Sequence, residues 1–65
     1  MKRKELKNLA KKIADAEYRH SQATDPEDIR NTENEIIKLS GKISNMEEML
    51  LLDDMIQEFL QDYMS

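Results

Sequence analysis

The run Leu39-Ser40-Gly41-Lys42-Ile43-Ser44-Asn45-Met46-Glu47 decides how this chain folds. Gly41 can close a helix, and Ser44 with Glu47 has the S-x-x-E form of a capping box that opens another. Against a break, Leu39, Ile43 and Met46 keep helical spacing without the offset a loop introduces. One glycine inside a helix costs only about 1 kcal/mol relative to alanine. The first reading is therefore an uninterrupted helix over about 26–64, and the alternative is a three-helix bundle broken near Ser40-Gly41, at about 40–44.

Upstream, Thr24-Asp25-Pro26-Glu27-Asp28 marks where that helix begins. Asp25 suits the N-cap, Pro26 the first helical position, and two acids complement the positive end of the dipole. From there Ile29, Thr32, Ile36, Leu39, Ile43, Met46 and Leu50 make a heptad-like series, with Ile37 beside it. The apolar phase then slips by about three residues to a second series, a shift that overwinds a helical seam. That second series lies in Met46–Met64, MEEMLLLDDMIQEFLQDYM, which holds most of the large apolar side chains and no positive charge. Met49, Leu52, Ile56, Phe59 and Tyr63 form its stripe, flanked by Leu60, Met64 and Met46 on one side and Met55 on the other. The arc is wider than a two-position coiled-coil seam, so packing against more than one neighbour is expected.

Before the turn, helix formers dominate from about residue 3 to 22. Leu6, Leu9, Ile13, Ala16, His20 and Ala23 recur at helical spacing, with Ala10 and Ala14 alongside. Alanine buries little area, so this face serves close approach more than hydrophobic stabilisation. A turn over 23–25 then pairs the first helix antiparallel with the start of the second, bringing Leu9 toward Gly41. The expected architecture is all-α: an antiparallel helical hairpin with a long second helix, coiled-coil-like packing, and a single small domain over 1–65. In that arrangement the apolar C-terminal half overhangs its own first helix. The overhang predicts a homo-oligomer, a dimer first, or docking to another helical protein through Met49, Leu52, Met55, Ile56, Phe59, Leu60 and Tyr63.

Composition narrows the function classes. The 65 residues contain no cysteine and one histidine, which excludes a disulfide framework, thiolate metal sites and a zinc site built on histidines. No apolar run is long enough to cross a bilayer and no h-region follows the basic N-terminus, so a cytoplasmic protein with no membrane insertion is expected. Net charge is −4 but unevenly placed, with seven of the ten Lys/Arg in residues 1–23 and eleven of the fourteen acids after them. Lys4, Lys7 and Lys11 share a face that could meet phosphate, which makes a nucleic-acid-associated accessory protein the alternative function. Pairing of that basic segment with the acidic C-terminal helix is the simpler reading.

No catalytic, cofactor or metal residue is expected. His20 lies on the inner stripe of the first helix with no nucleophile at motif spacing. Glu47, Asp54, Glu58 and Asp62 share a helical face but lack the glycine-containing loop of alternating acids that holds Ca²⁺. A single glycine excludes a glycine-rich phosphate loop, and one phenylalanine with two tyrosines makes no stacking platform for bases. In its turn and architecture the chain resembles the small helical phosphatases that act on a sporulation response regulator through a Ser-Gln-Glu-Leu-Asp type motif. The corresponding stretch here is Thr32-Glu33-Asn34-Glu35-Ile36, where the motif's Gln-Glu and final Asp are displaced or missing, so no functional residue carries over. The expected role is a non-enzymatic interaction or oligomerisation module.

Overall fold

A computed structural model describes residues 2–64, the side chain of Met64 excepted. It is all-α: helix α1 spans Arg3–Gln22, α2 spans Pro26–Ser40 and α3 spans Met46–Met64, with no strand among the described residues. No helix is long and apolar enough to cross a membrane among those residues.

The start of α2 follows from its residues. Asp25 is extended, and its Oδ1 accepts the Glu27 N–H at 3.1 Å while Pro26 takes the first turn. This supplies one of the donors a helix start leaves unpaired, and the proline costs none, its own N–H being absent.

The single helix expected over about 26–64 is replaced by two. Helix α2 stops at Ser40, and the chain runs through Gly41–Asn45 before α3 begins. The stop does not use a left-handed glycine, since Gly41 sits at φ −68°, ψ −9° in the right-handed region. Instead the last turn tightens: the Lys42 N–H donates to the Leu39 carbonyl and the Ile43 N–H to that of Ser40, both at 3.3 Å. Such bonds from i+3 back to i satisfy the final carbonyls as the helix ends. The cap on α3 is also one residue later than the Ser44 box suggested. Asn45 Oδ1 accepts the Glu47 N–H at 2.8 Å and the Asn45 carbonyl accepts from Met49.

Helix α1 packs against both α2 and α3, whose backbones stay more than 8 Å apart, Cα to Cα. Its buried residues, Leu6, Leu9, Ala10, Ile13, Ala14 and Ala16, spread over nearly half its circumference, wide enough for two neighbours. Ala10, Ala14 and Ala16 are fully buried, and their small side chains let a neighbouring backbone come close. The core joins Leu6, Leu9, Ala10, Ile13 and Ala14 to Ile43 from the connection and Leu52 and Ile56 from α3. Leu39, Met55, Phe59 and Leu60 pack at its edge. The expected overhang therefore has an intrachain partner, because the break at 41–45 lets α3 return to α1. Its sense can be read from the ends. Near the start of both helices Arg3 and Leu6 share a cleft with Glu48 and Leu51, and near their ends Tyr18 and Tyr63 stack with centroids 5.1 Å apart.

Candidate functional site

The seven residues expected at an interface divide by depth. Leu52 and Ile56 are each 5 % exposed and belong to the core against α1. Met55, Phe59 and Leu60 are half-buried at its edge, and Tyr63 lies over Tyr18. Met49 remains about half exposed. Met64 falls outside the described side chains.

Much of the apolar surface left in water lies instead on either side of the connection 41–45, on Ile37 of α2, 63 % exposed, and at the start of α3. There Met46 is 77 % exposed, Leu50 64 % and Leu51 53 %. Met46, Met49 and Leu50 share one side of the first two turns, with Glu47 between Leu50 and Leu51. Leu52 turns from this stretch into the core against α1. The spacing of a continuous helix puts Met46 and Leu50 on its inner series and gives Leu51 no place in either stripe. The signal available was the run Met49-Leu50-Leu51-Leu52, which no single-sided helix uses.

The whole surface is generous for the size. A monomeric domain of this mass exposes about 4,300 Å²; this chain, at 7.7 kDa, exposes 5173 Å². The excess, roughly 800 Å², is about what one partner contributes to a standard protein–protein interface.

Polar groups on the other faces are engaged with one another. Arg19, which sequence reading did not single out, donates from its Nη2 to both carboxylate oxygens of Glu35 at 3.0 and 3.2 Å and pairs through Nε with Asp15 at 3.2 Å. It ties α1 to α2 at the surface. The spacing of Asp15 and Arg19, four residues apart on one helix, was the available clue. Thr32, the one buried polar residue among those described, donates to the carbonyls of Asp28 and Ile29 and so is satisfied within its own helix. A cleft of about 420 Å³ opens between these residues, lined by Tyr18, Arg19, Asp28, Asn31, Thr32 and Glu35. It brings together no nucleophile with a base.

Burial raises the pKa of Glu17 above its ordinary value. The negative charge of Asp53 on α3 adds to the rise, and His20, one turn on, opposes it. His20 is half-buried beside that carboxylate. Glu47, Asp54, Glu58 and Asp62 are spread along exposed positions of α3, and among the described residues no group of His, Asp or Glu is placed to hold a metal ion. Lys4, Lys7, Lys11 and Lys12 are exposed on α1. Arg3 and Lys7 line a small cleft together with Glu58 and Phe59 of α3.

No protein-family model, curated protein or solved structure matches the chain. The turn's resemblance to the sporulation phosphatases thus has no family match behind it.

Proposed function

We propose that this chain is a non-enzymatic protein–protein interaction module that self-associates, a dimer being the unit, through the first two turns of α3. The observation that carries this reading is the exposure of Met46, Met49, Leu50 and Leu51 together on one short segment. Their burial would recover about 25 cal/mol for each Å² removed from water. Methionine at two of the four positions suits a surface that must pack against another helix without a fixed shape. The remaining members of the expected interface, from Leu52 to Tyr63, support the segment by holding α3 on α1. Packing across the dimer would be helix on helix, in the coiled-coil manner, around Leu50.

Light scattering across a concentration series tests the reading. A mass rising from one chain to two is expected, and Leu50→Glu, at an exposed site, should hold it at one chain without loss of helicity. A one-chain mass throughout the series would overturn self-association. A second reading, contact with nucleic acid through Lys4, Lys7 and Lys11, draws on their exposure. It requires binding that weakens steeply with salt. The six acids and no bases on α3, packed against the same helix, oppose it.

A further inference from the structure

We infer that the partner is a second copy of this chain and that the two copies exchange α3: the connection 41–45 becomes helical, α2 and α3 join into one helix, and each α3 docks on the other copy's α1. This rests on the self-association reading above and specifies its geometry.

Four observations converge on the connection. Gly41 is already right-handed, and no described residue has a positive φ, so no residue here must leave the left-handed region for the chain to become helical. The backbones of α2 and α3 stay more than 8 Å apart, Cα to Cα, so no close helix–helix packing between them opposes their straightening. The apolar phase Leu39, Ile43, Met46, Leu50 runs through the break as one helical series, although Met46 and Leu50 lie in water when the chain is closed. The connection is only five residues long, and short hinges between packed elements are where exchange occurs.

The geometry closes with two-fold symmetry. In the closed chain α1 and α3 run in the same sense, with Leu51 near Arg3 and Tyr63 near Tyr18. If two joined helices lie antiparallel about an axis at the connection, each α3 meets the partner's α1 in that same sense, because α1 is antiparallel to its own α2 across the turn at 23–25. The α1–α3 pairing of the closed chain is then remade between copies in the same sense. The only new contacts fall near the axis, beside residues 41–45, which is where Met46, Met49, Leu50 and Leu51 are exposed. Exchange therefore supplies a cover for the exposed apolar start of α3.

The test uses two single-cysteine chains, Tyr18→Cys and Tyr63→Cys, the parent having no cysteine of its own. One is isotopically labelled; the two are mixed at a concentration where light scattering gives two-chain mass, equilibrated, and treated with a short bis-maleimide. Exchange puts residue 18 of one chain beside residue 63 of the other, so a mixed two-chain product should form, detected by its mass on a denaturing separation. Ser44→Pro in both chains places a proline inside the joined helix but in the non-helical connection of the closed one. It should abolish the mixed product and the two-chain mass together while far-UV helicity persists. Two-chain mass without the mixed product would overturn exchange and leave self-association standing. One-chain mass at every concentration would overturn both. A mixed product that survives Ser44→Pro would overturn the helical connection, and should that variant lose helicity, Asn45→Ala decides instead: it removes the cap that starts α3 in the closed chain and has no place in a joined helix, so it must raise the dimer fraction, and an unchanged or lowered one refutes the inference.

Discussion

Substituting Gly41 by alanine probes the break most directly, because a terminating left-handed glycine and the observed geometry give opposite signs. In the left-handed case alanine would cost about 1 to 2 kcal/mol. Here Gly41 has φ −68°, and an added Cβ would meet only the carbonyl oxygens of Ile37 and Lys38, at 3.5 and 3.6 Å, which is ordinary contact. Leu9, which the hairpin pairing places opposite, comes no nearer than 4 Å to that Cβ. With neither strain nor clash, the substitution acts through the unfolded chain and stabilises by about 0.4 to 1 kcal/mol. For a domain of this size that raises Tm by roughly 2 to 8 °C. Thermal unfolding followed by circular dichroism, at a concentration where light scattering gives one chain, measures it without a contribution from assembly. A Tm lowered by several degrees would refute the reasoning, since it would mean that the glycine's freedom is in use.

Further outcomes follow from the caps, the core and the buried acid. Asn45→Ala should cost about 0.5 to 2 kcal/mol by removing the acceptor for the Glu47 N–H, whereas Ser44→Ala should leave the urea midpoint nearly unchanged; the reverse ranking would return the cap to Ser44. Ile13 is 1 % exposed at the centre of α1, so Ile13→Val should cost about 0.5 to 1.5 kcal/mol, and an unchanged midpoint would place it outside the core. Because Glu17 has a raised pKa in the folded state, the native chain binds more protons than the unfolded one between its ordinary and raised values. Stability should therefore fall as pH rises through that window, and Glu17→Gln should remove that part of the slope; parallel pH profiles for the two proteins would exclude the effect.

How far the sequence discloses this fold differs from one junction to the next, for physical reasons. The start of α2 is legible because three local requirements coincide within Asp25-Pro26-Glu27: a side-chain acceptor, a fixed φ and an acidic first turn. The break at 41–45 is not, because it relies on weak devices. A right-handed glycine and two bonds of the tightened kind have helical or near-helical geometry, and an asparagine is tolerated within a helix, so nothing in the residue types forbids the helix from continuing. What decides is tertiary: Leu52 and Ile56 find α1 only if the chain turns back. The apparent phase slip between Leu50 and Leu52 is the sequence trace of that choice. Helices α2 and α3 each face α1 with their own stripe, and the connection 41–45, not an overwound turn, separates the two.

The turn back also redistributes the apolar residues along α3. A stripe calculated for a continuous helix assigns Met46 and Leu50 to the inside and leaves Leu52, Ile56 and Phe59 without an intrachain neighbour. Once α3 returns to α1 the two sets trade places, and the bulk of the C-terminal stripe is absorbed by the core. That α1 can accept it depends on Ala10, Ala14 and Ala16, which looked like a thin face when one neighbour was assumed. Small residues let two helices approach one, and their buried positions are the reason a 20-residue helix can be the shared centre. The cost is that Leu6, Leu9 and Ile13 are the large side chains α1 contributes to the core. A core this small rarely supplies more than about 3 to 5 kcal/mol. A chain so built gains from any arrangement that keeps the α1–α3 contact and also covers the first turns of α3, which a second copy of the same chain can provide.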